Sequence, residues 1–259
     1  MREAASPRPA AWYVISLRPL GQHGAVRRAA ARAGMDCVAL STMRIVPRDD
    51  AQSCRRLREA LAAPRVVFTS PNAVRCAAAM TPLRRKRAQH FFAIGAGTAA
   101  ALRRAGIADV QVPAHADSEA LLAMDALQDL DGLRVGLVTA PGGRDRIEPG
   151  LRKRGAQVVR ADVYARQAQA PSPRAFAALR AARGRWAIAL SSGEALQTLM
   201  DHAPADLAPK LRAARVLAGS ARLADEARAL GFRDLRLAAG ARPADLVAAR
   251  DGRPRRGIR

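Results

Sequence analysis

Hydroxyl residues stand twice where a short apolar run tips into an alanine-rich segment, in VVFTSPNAV (66–74) and in AIALSSGEAL (187–196). Val66, Val67 and Phe68 have the profile of a buried parallel strand, and Pro71 suits a first helical turn, where a missing N–H is no loss. Ser70 is then a natural N-cap, and Ser192, preceded by Ser191, holds the same place in the second copy. A hydroxyl, several unpaired backbone N–H groups and the positive end of a helix dipole together make an anion site. In open α/β sheets such strand-to-helix corners also line the ligand crevice.

Other residues could share that chemistry. Pro141-Gly142-Gly143-Arg144 closes the run GLVTAPGGR with exposed amides and one forked cation, a combination suited to a carboxylate. Arg18, in SLRPL, occupies the matching corner of an earlier run; either arginine could equally cap or solvate a loop. Gly95-Ala96-Gly97-Thr98-Ala99-Ala100 fits the G-x-G-x-x-A form of a dinucleotide fingerprint, with Asp117 about where a ribose-binding acid belongs. The alternative is a pair of glycines kept for a tight turn and close packing. Against the fingerprint, the motif is third in its repeat and its second copy has Arg222 in place of Gly97. Tyr164 ends QVVRADVY where a connector begins. A phenol of ordinary acidity keeps its proton at neutral pH, so it could donate to a leaving hydroxyl; a half-buried packing role is the other reading. His23, His90, His115 and His202 share no spacing or partner and read as surface or packing residues, and no Ser/His/Asp set is visible. Cys37, Cys54 and Cys76 are odd in number and lack CxxC spacing, which fits a reducing compartment and no zinc site.

The elements that must position these residues repeat. With 259 residues the chain can bury one large core or form two ordinary domains. Three units recur in order at an offset of roughly 120 to 125 residues. The first is a strand, a basic helix, a glycine and a strand, in YVISLRPL to RAGMDCVAL and again in LRVGLVTAPGGR to KRGAQVVRADVY. The second is the hydroxyl corner. The third is HFFAIGAGTAAALRRAGIADVQV (90–112), matched by RVLAGSARLADEARALGFRDLRL (215–237), with Gly106 on Gly231 as helix-ending glycines. Strands alternating with helices imply parallel α/β domains. Periodicity alone would cut the chain near residue 128. The polar, Pro-containing stretches RIVPRDD (44–50) and YARQAQAPSPR (164–174) bracket the middle instead and favour an inserted domain. The expected partition is an outer domain of 12–40 plus 170–250, an inserted domain of 48–160, connectors at 41–47 and 161–169, and disordered ends at 1–11 and 251–259.

The formal charge of +22 is almost wholly arginine, since Lys86, Lys153 and Lys210 are the only lysines. An anionic partner and an arginine- and alanine-biased composition both account for it. Nucleic acid is not the expected partner, because two Trp, two Tyr and five Phe leave few stacking platforms and Phe68, Phe91 and Phe92 fall in predicted buried strands. No stretch approaches the roughly 20 apolar residues of a membrane span, and the N-terminus does not read as a signal peptide. A cytoplasmic protein without membrane contact is expected.

TSPNAV, IGAGTAAALRRAG, APGGR followed by LRKRGAQVVRADVYARQ, then SSGEAL and SARLADEARALGF resemble the uroporphyrinogen-III synthase family in sequence and order. The likeness runs over about residues 12–248. It implies two flavodoxin-like, three-layer α/β domains joined by a two-stranded connector, one inserted in the other, with the active site in the cleft between them. The implied reaction closes hydroxymethylbilane, a linear tetrapyrrole with eight carboxylates, to uroporphyrinogen III with inversion of ring D and loss of water. The resemblance implies no metal or organic cofactor, a monomer, and room for transient handover of the bilane from the enzyme that forms it. Position by position, Tyr164 matches the tyrosine near the departing hydroxyl. Thr98, beside Gly97, matches a cleft threonine; Ser70, Asn72, Gly143 (with Gly142), Ser192 (with Ser191) and Ser220 match positions donating hydrogen bonds to substrate carboxylates. Leu223 stands where some members have a second threonine, and SLRP replaces a more usual threonine before the arginine.

Overall fold

The structure is a computed structural model that describes residues 12–142 and 146–251. In chain order its elements are β1 (Trp12–Ser16), α1 (Gly24–Arg32), β2 (Asp36–Ala39), β3 (Met43–Pro47), α2 (Ala51–Leu61), β4 (Arg65–Phe68), α3 (Pro71–Met80), β5 (His90–Ala93), α4 (Ala96–Arg104), α5 (Ser118–Leu122), β6 (Arg134–Thr139), α6 (Ile147–Arg152) and β7 (Gln157–Asp162). They continue as β8 (Tyr164–Ala168), α7 (Pro173–Ala181), β9 (Arg185–Leu190), α8 (Gly193–Asp201), α9 (Ala208–Arg212), β10 (Arg215–Ala218), α10 (Ala221–Ala229), β11 (Leu235–Leu237) and α11 (Pro243–Ala248). The chain divides into two compact units, the central one Ile45–Arg166 and the outer one made of the described residues up to Arg44 and from Gln167 onward. It passes between them through β3 and β8, which pair as a two-stranded sheet.

The outer unit is built on a parallel sheet of order β2-β1-β9-β10-β11. Successive side chains of a strand point to opposite faces, and here both faces are covered. Ile15, Ile188 and Val216 pack with Phe176, Leu196 and Leu223 on one side. Val14, Ala187 and Leu217 pack with Val26 and Leu246 on the other. That double burial is why these strands read as continuous apolar runs rather than as alternating ones. The central unit repeats the plan with the order β7-β6-β4-β5. Val66, Phe68 and Phe91 face Leu57, Val74 and Leu102, while Val67, Phe92 and Val135 face Leu121 and Leu151.

The repeat units can be followed into the sheets. In the outer unit the strand of the hydroxyl corner, β9, lies beside β1. In the central unit the hydroxyl-corner strand β4 lies beside β6, which comes later in the chain. The order of repeat units is therefore the same in both sheets, although the order along the chain is not. The third units end their helices identically. Gly106 (φ 95°) and Gly231 (φ 88°) take the left-handed conformation that glycine adopts without strain. Ile107 N–H donates to Leu102 O at 3.0 Å, as Phe232 N–H does to Ala227 O at 3.1 Å. The copies then diverge. β11 forms, and Ala238 N–H extends its ladder to Ala218 O at 2.9 Å; at the matching place in the first copy there is an isolated bridge from Gln111 to Phe92. The residue at the place of Ala238 is Pro113, which has no N–H to give.

Candidate functional site

In the outer sheet the chain departs in opposite directions from β1 and β9, and in the central sheet from β6 and β4. Crevices at such switch points, beyond the carboxyl ends of the strands, are where open α/β sheets bind ligands. The outer switch point carries Arg18 after β1 and Ser191-Ser192 after β9. The central one carries Gly142 after β6 and Thr69-Ser70 after β4.

At the central corner Ser70 is extended (φ −162°) and caps α3, its Oγ accepting the Ala73 N–H at 3.0 Å. The same Oγ lies 3.0 Å from the Tyr164 hydroxyl. Tyr164 opens β8 and is only 1 % exposed, enclosed by the core that also holds Phe68 and Val138. Asn72 follows in the first turn of α3, where its Oδ1 accepts from Arg75. The strand ends are tied by the Thr69 and Thr139 hydroxyls, 2.7 Å apart. Arg166 places its guanidinium carbon 5.8 Å from the centre of the Tyr164 ring and makes long bonds, 3.5 and 3.4 Å, to the carbonyls of Pro141 and Gly142. A crevice of about 270 Å³ opens here, lined among others by Thr69, Asp117, Thr139, Gly142 and Arg166. Gly143 and Arg144 lie outside the described residues.

The G-x-G-x-x-A stretch serves turn and packing. Gly95 precedes α4 with its backbone extended, and a Cβ there would stand 2.8 Å from Ala116 Cβ. Gly97 is exposed in the first turn, and Thr98 is buried at 2 % exposure. Their strand, β5, lies on the far side of β4 from the switch point. Asp117 is engaged locally, its carboxylate capping α5 through the Ala120 N–H at 2.7 Å.

At the outer corner Ser192 caps α8, accepting the Ala195 N–H at 3.4 Å. It lines, with Ser191, Gly193, Arg222 and Glu226, a crevice of about 560 Å³; Arg222 is paired with Glu226. Ser220 is exposed and caps α10 through the Leu223 N–H at 3.4 Å. Leu223 itself is buried in the outer core. Arg18 donates to the carbonyl of Ala241 at 3.0 Å, and burial holds its guanidinium below the ordinary value.

Three groups were not found by reading the sequence. His23 is buried, with Nδ1 2.9 Å from Ser16 Oγ and Nε2 2.7 Å from Ser41 Oγ, so it ties the loop bearing Arg18 to the ends of β1 and β2. Burial, then the positive charges of Arg27 and Arg18, lower its pKa. The Thr69–Thr139 pair and Arg166 complete the set; a hydroxyl ending both strands was a usable signal for the pair. The three cysteines are free, and burial pushes Cys37 up to about 11, far from a thiolate at neutral pH. Among the described residues no group of three or more His, Cys, Asp or Glu could hold a metal ion, and no helix is long and apolar enough to cross a membrane.

Two parallel sheets of flavodoxin-like order, each with a serine-capped helix at its switch point, define a two-unit α/β protein. The family model for uroporphyrinogen-III synthase HemD matches residues 25–248, and the chain belongs to the uroporphyrinogen-III synthase family. It is 35 % identical over 153 residues to the uroporphyrinogen-III synthase of Salmonella typhimurium, which is 58 % of this chain and 62 % of that protein. To the Escherichia coli enzyme it is 34 % identical over 154 residues, 59 % of this chain and 63 % of that protein. The matched segment thus spans somewhat under two thirds of these relatives. Among solved structures, uroporphyrinogen-III synthetase from Helicobacter pylori superposes with a TM-score of 0.58 at 10 % identity, covering 91 % of this chain and 96 % of that one. A mutant uroporphyrinogen III synthase from Thermus thermophilus gives 0.55 at 19 %, covering 92 % and 96 %. These two share the fold.

Proposed function

We propose that the protein converts hydroxymethylbilane to uroporphyrinogen III, inverting ring D and releasing water, as a monomeric hydro-lyase of cytoplasmic tetrapyrrole biosynthesis. The family match over residues 25–248 carries this reading. The corners add physical support. Ser70 and Asn72 in the central unit, and Ser191, Ser192 and Ser220 in the outer one, stand at helix N-termini, where hydroxyls, amides and dipoles suit carboxylates. Arg18 adds a forked cation beside the outer corner.

The chemistry asked of the protein is modest. Loss of the hydroxyl leaves an azafulvenium cation; ring D attacks through its substituted carbon, and the resulting spiro intermediate fragments and recloses inverted. The bilane can also close unaided without inversion. Holding it in the conformer that inverts is a matter of orientation, for which effective concentrations are large. No step needs an organic cofactor. Freshly generated hydroxymethylbilane incubated with the protein should yield predominantly the III isomer after oxidation to porphyrin. Formation of the I isomer alone would overturn the reading.

A further inference from the structure

We propose, on the basis of that reading, that Ser70 delivers the proton to the departing hydroxyl, with Tyr164 behind it as the proton store and Arg166 as the counter-charge. The burial of the phenol forces the question. At 1 % exposure Tyr164 presents almost no surface to a ligand, and among the described residues its hydroxyl has one hydrogen-bond partner, Ser70 Oγ at 3.0 Å. Ser70 is only half-buried and stands at the switch point itself.

Hydrogen-bond accounting fixes the direction of the chain. A serine hydroxyl has one proton to give and two lone pairs to receive with. Ser70 Oγ accepts the Ala73 N–H at 3.0 Å, which fills one of them. If Ser70 donated to Tyr164, the phenolic proton would be left buried without an acceptor, a loss of about 1–3 kcal/mol. The favourable arrangement has Tyr164 O–H donating to Ser70 Oγ, which leaves the serine proton for another acceptor. Among the described residues no protein group takes that proton. The phenol therefore acts beyond the core only through Ser70.

Arg166 completes the set electrostatically. Its guanidinium lies over the Tyr164 ring at 5.8 Å, has no carboxylate partner among the described residues, and is tethered only by the long bonds to Pro141 and Gly142. In the proposed step that cation is the counter-charge beside the phenol. Ser70 Oγ–H transfers its proton to the hydroxyl oxygen of the bilane, the C–O bond breaks with both electrons going to oxygen, and water departs. The carbon left behind is stabilised as the azafulvenium by the pyrrole nitrogen. Tyr164 passes its proton to Ser70, and the phenolate is held by Arg166. After reclosure, the ring carbon that loses its proton on rearomatising returns one through Ser70 to Tyr164.

The test uses the full chain with freshly generated hydroxymethylbilane, scoring kcat for the III isomer, KM and thermal melting. Ser70→Gly removes the hydroxyl yet weakens the helix cap by only a few tenths of a kcal/mol, so folding should survive. Ser70→Gly and Tyr164→Phe should each lower kcat by about 10²-fold, and the double variant no further, because both break one relay. Ser70→Thr keeps hydroxyl and cap and should recover turnover to within about tenfold of the wild type. Arg166→Gln should lower kcat with KM held. Loss in Tyr164→Phe with full turnover in Ser70→Gly would overturn the relay in favour of a phenol acting directly. Losses that multiply in the double variant would overturn it too, and a rise in KM alone for Arg166→Gln would remove the arginine from its place behind the phenol. An inactive wild type is a different result, since it sinks the cyclising reading on which the relay rests.

Discussion

His23 is held neutral by what surrounds it. Both ring nitrogens meet serine hydroxyls, at 2.9 and 2.7 Å, and a neutral imidazole offers one donor and one acceptor to them. Burial, with Arg27 and Arg18 nearby, pushes its pKa below the ordinary 6.5. The unfolded chain therefore takes up this proton at a higher pH than the folded one. Its contribution to stability is complete above about pH 6.5 and is lost as the pH falls from there toward the lower folded value. Urea unfolding midpoints measured at pH 7.5 and pH 5 should fall further for the wild type than for His23→Gln, whose amide keeps a donor and an acceptor but does not titrate. Parallel falls in the two proteins would place the titration elsewhere. None of this was legible along the chain. Ser16 and Ser41 reach His23 only because β1 and β2 pair in parallel with Ser16 opposite Ala39, and spacing in sequence carries no trace of that register. The Ser70, Ser192 and Ser220 caps were legible, since a cap is local chemistry between residues three apart.

The third repeat units show how one helix start is solved twice. α10 begins at Ser220, whose hydroxyl takes the Leu223 N–H; the matching residue before α4 is Gly95, with no side chain to do so. Cap preferences alone would favour serine at both places. The space at Gly95 forbids it, since a Cβ would sit 2.8 Å from the Cβ of Ala116. Close packing against the Ala116 methyl, not a dinucleotide, accounts for that glycine. Gly95→Ser should therefore destabilise the protein by about 1–2 kcal/mol, the usual scale of overpacking, despite supplying a preferred cap. Adding Ala116→Gly should recover most of the loss and leave the cap's benefit visible as a raised denaturation midpoint. A stabilising effect of Gly95→Ser alone would show that the 114–117 turn yields freely. From the sequence, the motif's composition could be read but the neighbour that explains it could not, because Ala116 is twenty-one residues away.

At the scale of the whole molecule, a part of the arginine charge is answered by neighbouring carboxylates. Arg56 pairs with Glu59, Arg152 with Glu148, Arg228 with Asp225 and Arg242 with Asp245, each three or four residues apart. Exposed pairs of this kind add little to stability. They are what an arginine-rich composition produces on helix surfaces, and the sequence could disclose the net charge of +22 but not this sorting. The strand runs and the repeat were equally plain in the sequence, whereas the placing of β6 beside β4 was decided by which strands pair. Arg18 stands apart from the local pairs: it is at the carboxyl end of β1, without a carboxylate partner among the described residues, and partly desolvated. On the proposed reaction, two electrostatic effects should therefore separate in kinetics with hydroxymethylbilane. The net field draws the polyanion from a distance and is screened as the Debye length shrinks from about 10 Å at 0.1 M salt to about 3 Å at 1 M. KM should rise by about tenfold over that range while kcat changes little, because orientation of the bound chain does not depend on long-range attraction. Arg18→Gln should raise KM several-fold already at low salt and flatten the salt dependence. Arg56→Gln removes the same formal charge from an exposed helix already served by Glu59 and should leave both KM and its slope near the wild-type values. Equal effects of the two substitutions would mean that total charge alone, rather than a guanidinium placed at the switch point, governs how the substrate is held.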